Sequence, residues 1–123
     1  MHFGADYSSG KYCWTTNRDK IDREIDTLMK KLHTDYIDFG FIHCIDEPSD
    51  LRQYINGGVL ERIKELHKQG VVRHIGLSTH TPAIAHKMLD TVILDVIMFS
   101  INPAYDYQPV SYTHLTLPTT PYV

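Results

Sequence analysis

An α/β fold, with parallel strands covered by helices, is what this sequence predicts, and three observations point there. Segments of helical periodicity alternate with short apolar runs of strand character. The connections between them are short, as crossover units require. No GxGxxG follows any strand, so the phosphate turn of an open dinucleotide-binding sheet is missing, which favours a closed barrel.

Taken in order, Met1–Gly4 reads as the end of a strand. Tyr7, Tyr12 and Trp14 then fall in a long loop, where packing is the simpler role and lining a substrate loop the other. Ile21, Ile25, Leu28, Met29 and Leu32 recur at i, i+4, i+7, i+8 and i+11, one face of an amphipathic helix from about Asn17 to Leu32. Tyr36 to His43 is a short, aromatic-rich apolar run and reads as a buried strand. Asp46, Glu47, Pro48 and Asp50 read as a solvated acidic loop. After the punctuation of Asn56-Gly57-Gly58, the residues Val59, Leu60, Ile63 and Leu66 give a second helical face, with Gly70 placed to cap its C-terminus. Val71 to Ser78 is a second full strand. Thr81-Pro82 offers a capping hydroxyl before a first-turn proline, and Ile84, Ala85, Met88 and Leu89 form the inner face of the helix it starts. Val96 to Ile101 is a third strand, closed by Asn102-Pro103.

Composition excludes several functions. The 123 residues carry a net charge of −3 and no basic block, so the electrostatic footprint of a nucleic-acid binder is missing. No apolar run approaches the ~18 residues of a spanning helix. Met1-His2-Phe3-Gly4 does not open a signal peptide, which leaves the cytoplasm as the expected compartment. Cys13 and Cys44 form no CxxC pair, and His67, His80 and His86 have no ligand spacing with carboxylates, so no metal site is expected.

Size sets a limit. A complete eight-unit barrel takes about 250 residues, and only three full strands and the end of a fourth are visible here. From Val110 the pattern breaks. Val110 to Thr119 resembles the translation of a transposase-type sequencing adapter, whose next fixed bases would give Val123 and a stop. Residues 110–123 are therefore expected to be a non-native tail, and residues 1–109 the native part.

Three segments of that part resemble the aldo-keto reductase family. Leu32-His33-Thr34-Asp35-Tyr36-Ile37-Asp38-Phe39-Gly40-Phe41-Ile42-His43 is similar to the family's L-x-T-D-Y-I-D-x-x-x-x-H lead into its fourth strand. Gly70-Val71-Val72-Arg73-His74-Ile75-Gly76-Leu77-Ser78 is similar to its fifth strand, G-K-V-R-x-I-G-V-S. Ile101-Asn102-Pro103 is similar to the Y-N-P that closes its sixth. The likeness is strongest to bacterial predicted-oxidoreductase members, many of which carry a C-terminal iron–sulfur segment; this sequence has no cysteine cluster for one.

The resemblance implies an incomplete (β/α)8 TIM barrel holding about strands 3 to 6. It implies hydride exchange between NADPH and a small carbonyl or alcohol, performed by an Asp, Tyr, Lys, His tetrad. His43 matches the family histidine, whose N–H orients the carbonyl. Ser78 matches the serine on the nicotinamide carboxamide, with capping of the following turn as its other role. Thr79 stands where the family usually has Asn, and offers a hydroxyl without the paired amide. Met98 replaces a frequent cofactor-binding Gln. His2 aligns with the catalytic lysine, and a neutral imidazole is a poor substitute for an ammonium. The catalytic Asp and Tyr would precede Met1, so the chain is expected to be an inactive piece of a working enzyme. A non-catalytic nucleotide-binding or interaction module of the same fold is the second reading, and a small unrelated α/β binding domain the third.

Overall fold

Asn17 starts the first long helix. Its side chain accepts a hydrogen bond from the Lys20 amide at 3.1 Å, satisfying a donor that no helical carbonyl can reach. The computed structural model describes residues 1–92 and 94–99. Asn102, Pro103 and the 110–123 segment lie outside the described residues, as does the end of the expected third strand.

The chain runs β1 (His2–Phe3), β2 (Ala5–Asp6), β3 (Cys13–Trp14), α1 (Arg18–Lys31), β4 (Ile37–Ile42), α2 (Pro48–Asn56), α3 (Val59–Lys68), β5 (Val72–Ser78), α4 (Pro82–Thr91) and β6 (Val96–Met98). Strands β1, β4, β5 and β6 pair in that order and every pairing is parallel. This is part of the layered α/β arrangement expected from the sequence. Strands β2 and β3 form a separate antiparallel hairpin where a loop was expected.

The α1 helix ends in a Schellman turn. His33 adopts a left-handed φ of 51°, its N–H donates to the Lys30 carbonyl, and the Thr34 N–H reaches back to Met29. That turn leaves Leu32 68% exposed, so Leu32 is not part of the buried face it was assigned to; Ile21 and Ile25 are. The acidic loop is corrected too. Its second half is helix α2, opened by Pro48 at the first turn and anchored by Leu51 and Tyr54, both fully buried. Tyr54 donates its hydroxyl to the Phe3 carbonyl at 3.3 Å, and burial pushes its phenol pKa well above the usual range. Gly70 does follow α3 with a left-handed φ of 77°. Thr81, by contrast, makes no cap with its side chain; its hydroxyl donates to the Asp46 carbonyl instead.

The core lies between the sheet and the helices. Phe3, Ile42, Ile75 and Leu77 meet Leu51, Leu60, Ile63, Ala85 and Met88 there. Burying each of the larger side chains contributes about 1.5–3 kcal/mol. Arg62 on α3 reaches Asp22 on α1 at 2.9 Å and ties those two helices together at the surface.

Two glycines allow aromatic rings to lie flat on the sheet. A Cβ on Gly40 would sit 2.4 Å from the Phe3 ring. A Cβ on Gly76 would sit 2.5 Å from the Phe41 ring. Neighbouring residues of a strand point to opposite faces, so Phe41 lies on the face away from Phe3. That second face also carries Phe39, stacked on His74 at 5.0 Å and 44% exposed, and Met98, 48% exposed. In a closed barrel such a face is the filled interior.

Candidate active site

The polar residues singled out from the sequence gather at the C-terminal ends of the parallel strands. His43 directly follows β4 and Ser78 closes β5. His2 belongs to β1, whose pairing with Phe41 and Ile42 sets it beside the end of β4. Barrel chemistry is found at this end of the strands because the loops there converge on one mouth.

His43 is held on every side. Its backbone N–H donates to the Phe3 carbonyl at 3.2 Å, and its carbonyl accepts from the Trp14 indole N–H at 2.9 Å. Its Nδ1 lies 3.0 Å from Nδ1 of His2, and its Nε2 lies 2.8 Å from the Tyr12 hydroxyl oxygen. The His2 ring in turn stacks on Phe41 at 5.2 Å. Burial, and then the neighbouring His2, lowers the His43 pKa below its ordinary value; burial, and then the Met1 amino group, does the same for His2. Both imidazoles are therefore poised to stay neutral, as a ring that donates one N–H and accepts at its other nitrogen must be.

Cys44 follows in a left-handed conformation, φ 50°, with its sulfur 3.4 Å from His43 Nε2. Burial pushes its thiol pKa up, so the reactive thiolate is disfavoured. Among the described residues no group of three or more His, Cys, Asp or Glu side chains could hold a metal.

Ser78 and Thr79 have different surroundings. Ser78 is half-buried, and its hydroxyl makes no hydrogen bond among the described residues. Thr79 is 1% exposed and turned into the fold: its hydroxyl donates to the Ile45 carbonyl at 2.7 Å and accepts from the Thr81 N–H at 3.1 Å. Asp46, expected to be merely solvated, is the acceptor that binds this loop together. It takes the His80 amide at 2.6 Å, His80 Nδ1 at 2.9 Å and has the Thr79 hydroxyl at 3.1 Å. Burial alone would raise its carboxyl pKa, but the hydrogen bonds from His80 and Thr79 outweigh that and hold it below the usual range.

Tyr12 is the site residue whose contact the sequence did not reveal. The available signal was Asp6-Tyr7-Ser8-Ser9-Gly10, a turn cluster that closes a hairpin and carries Tyr12 back toward the strand ends. A surface cleft lined by Arg18, Arg52 and Gln53 among others includes none of His2, His43 or Ser78.

Comparison with known proteins then decides the family. The model of the Aldo/keto reductase family matches residues 8–111. The chain belongs to the aldo/keto reductase family. It is 36% identical over 70 residues to Oxidoreductase YdhF of Escherichia coli (strain K12), a stretch that covers 57% of this chain and 22% of that protein. It is 28% identical over 101 residues to Aldo-keto reductase YhdN of Bacillus subtilis (strain 168), covering 82% of this chain and 28% of that one. The chain thus spans about a quarter of these aldo-keto reductase relatives.

Among solved structures, it superposes on aldo-keto reductase AKR11C1 from Bacillus halodurans in its holo form with a TM-score of 0.70 at 22% identity, over 96% of this chain and 38% of that chain. It superposes on the glycerol dehydrogenase AKR11B4 from Gluconobacter oxydans with a TM-score of 0.60 at 20% identity, over 85% of this chain and 32% of that chain. The four parallel strands are thus a section of an aldo-keto reductase (β/α)8 barrel. Among the described residues no helix is long and apolar enough to cross a membrane.

Proposed function

We propose that this chain supplies part of the active-site mouth of an NAD(P)H-dependent oxidoreductase that interconverts a carbonyl and an alcohol in the cytoplasm. The observation that carries the reading is the placement of His43. It stands at the C-terminal end of a central parallel strand, held at backbone and ring, with burial keeping its imidazole neutral. A neutral imidazole can donate one N–H to a carbonyl oxygen and stabilise the charge that develops on it.

The donor chemistry at the strand ends fits part of a nicotinamide site. Ser78 has a half-buried hydroxyl available for the carboxamide, while Thr79 holds the loop beside it through Ile45 and Asp46. When bound, the cofactor supplies the hydride itself. His2 stands in the lysine position. The 123-residue chain alone is expected to turn nothing over, because the Asp and Tyr of the tetrad have no matches in it.

The test is made in a complete protein carrying this segment. NADPH oxidation, followed by nicotinamide absorbance, is expected with small aldehydes or ketones, and His43→Gln should lower kcat by about 10²–10⁴-fold. Absence of any carbonyl-dependent oxidation across an aldehyde and ketone panel overturns the reading. If NADPH nonetheless binds, as judged by fluorescence, the nucleotide-binding module becomes the better account, a reading that histidine in the lysine position favours.

A further inference from the structure

Helices α1 and α2 flank a cleft on the outside of the fold. It measures about 900 Å³, with residues 15–19 on one wall and α2 on the other. Helices form the outer ring of a closed barrel, so the cleft lies outside the wall, away from the strand-end mouth. Ser49, Arg52, Gln53 and Asn56 recur at i, i+3, i+4 and i+7 and all line it. They make one polar stripe of α2. The same helix buries Leu51 and Tyr54 on its opposite side.

Two guanidiniums line the cleft, and neither is fully neutralised. Arg52 is exposed and has no hydrogen-bond or ion-pair partner among the described residues. Arg18 has the Asp22 carboxylate at 3.9 Å, but Asp22 is already bonded by Arg62 at 2.9 Å. The Arg18 side chain is laid across the glycine turn between α2 and α3. A Cβ on Gly58, where φ is 76°, would come 3.4 Å from Arg18 Nη1. Gln53 accepts the Thr16 hydroxyl on Oε1 at 3.3 Å, which leaves the two N–H groups of its amide unspent. Against these donors stands Asp19, the one carboxylate among the lining residues.

We infer that this cleft binds a phosphate group, free or carried on a small polar molecule, with Arg18 and Arg52 as its charge partners and Gln53 and Asn56 as neutral donors. A phosphate presents three oxygens and close to two negative charges, enough acceptors for two planar guanidinium forks; a single carboxylate fills one. The charge is local, since the lining residues carry one net positive charge on a chain of net charge −3. A metal cation would meet a single carboxylate and two repelling arginines there. A nucleic-acid strand needs a longer run of positive charge than two residues supply. The volume falls within the range of about 300–1,000 Å³ found for small-molecule sites. Binding here is independent of whether a carbonyl is reduced at the strand-end mouth.

The site is tested by ¹H–¹⁵N spectra of the 123-residue chain, titrated at fixed ionic strength with inorganic phosphate and, separately, with glycerol 3-phosphate. Saturating shifts are expected at Arg18, Arg52, Gln53 and Asn56. Arg52→Gln should weaken binding by about tenfold or more, the loss expected for a hydrogen bond between charged groups. Arg52 has no partner in the fold to lose, so this variant should fold as the parent does. Lys68→Gln removes the same charge from an exposed position on α3 and should leave the affinity unchanged. Asp19→Asn removes the opposing carboxylate and should tighten binding severalfold, a direction that damage to the fold would not produce. Tighter binding of glycerol 3-phosphate than of inorganic phosphate identifies the ester as the ligand, and equal affinity identifies the free ion. Shifts that never saturate overturn the site, as do saturating shifts confined to strand-end residues. So does an Arg52→Gln variant that binds like the parent, or a Lys68→Gln variant that loses as much affinity as Arg52→Gln.

Discussion

Replacing Thr79 by Val separates a structural hydroxyl from a ligand-binding one. The two side chains have nearly the same shape, so the substitution removes the hydroxyl and little else. Two backbone groups then lose their partner: the Ile45 carbonyl, in a residue 0% exposed, and the Thr81 N–H. Each buried polar group left unpaired costs about 1–3 kcal/mol. The added methyl returns less than about 1 kcal/mol of burial. Thr79→Val should therefore destabilise the fold by about 2–3 kcal/mol. Thr79→Ser keeps the hydroxyl and loses one methyl, at a cost of about 1 kcal/mol. Urea unfolding followed by the fluorescence of Trp14, the single tryptophan, measures both, with an unchanged slope showing that the change lies in stability. A Val variant within about 0.5 kcal/mol of the parent, or a Ser variant worse than Val, would refute the assignment of this hydroxyl to the loop. It would return Thr79 to the list of candidate cofactor ligands.

Three further outcomes follow from the geometry. His33→Gly places glycine at the left-handed end of α1, where φ is 51°, and should raise stability by about 0.5–1 kcal/mol in the same urea assay. Gly40→Ala should cost about 2–3 kcal/mol, because the Phe3 ring it meets is 1% exposed and has nowhere to go; Gly76→Ala should cost about 1 kcal/mol, because the half-buried Phe41 ring can swing aside. Burial holds His43 and His2 below their ordinary pKa near 6.5, so the unfolded chain takes up protons first as the pH falls. Stability present above about pH 6.5 should be lost progressively below it, down to the folded-state midpoints. Urea midpoints measured from about pH 7.5 to about pH 5 should fall more steeply for the parent than for His43→Gln; equal slopes would count against a depressed His43.

Much of the fold was legible because local pattern and tertiary demand agree. The α1 face, the aromatic β4 run and the Gly70 turn all carry periodicities or caps that need no distant partner to be read. Helix α2 was not legible, since only Leu51 and Tyr54 mark its inner side among nine residues, and Asp50 and Pro48 read equally well as loop. Thr81 shows the same limit from the other side. A hydroxyl before a proline is a proper cap signal, yet the Thr81 side chain turns away from the helix N–H groups and donates to the carbonyl of Asp46, 35 residues earlier in the chain. At the site, His43 and Ser78 stand out because they end apolar strands. The contact of Tyr12 with His43 does not, since it depends on how a short hairpin folds back over residues 31 positions away. Asp46 reads in the sequence as one of several exposed acids, because its three hydrogen-bond contacts come from Thr79 and His80 of the distant β5–α4 loop.

The glycine pair has a consequence for alignment. Phe41 needs an empty position beside it on β5, and Gly76 is its partner in the ladder. Sliding β4 by two residues would bring Phe41 against His74 or Ser78, which have side chains where the ring must lie. Sliding by one would turn Phe41 toward the helices and the glycine at 40 away from Phe3. The two glycines work as keyways: each accepts one ring from the adjoining strand, on opposite sides of the sheet, and together they admit a single alignment of β1, β4 and β5. His2 and His43 come within hydrogen-bonding distance only in that alignment, so two residues without side chains set the spacing of the two imidazoles.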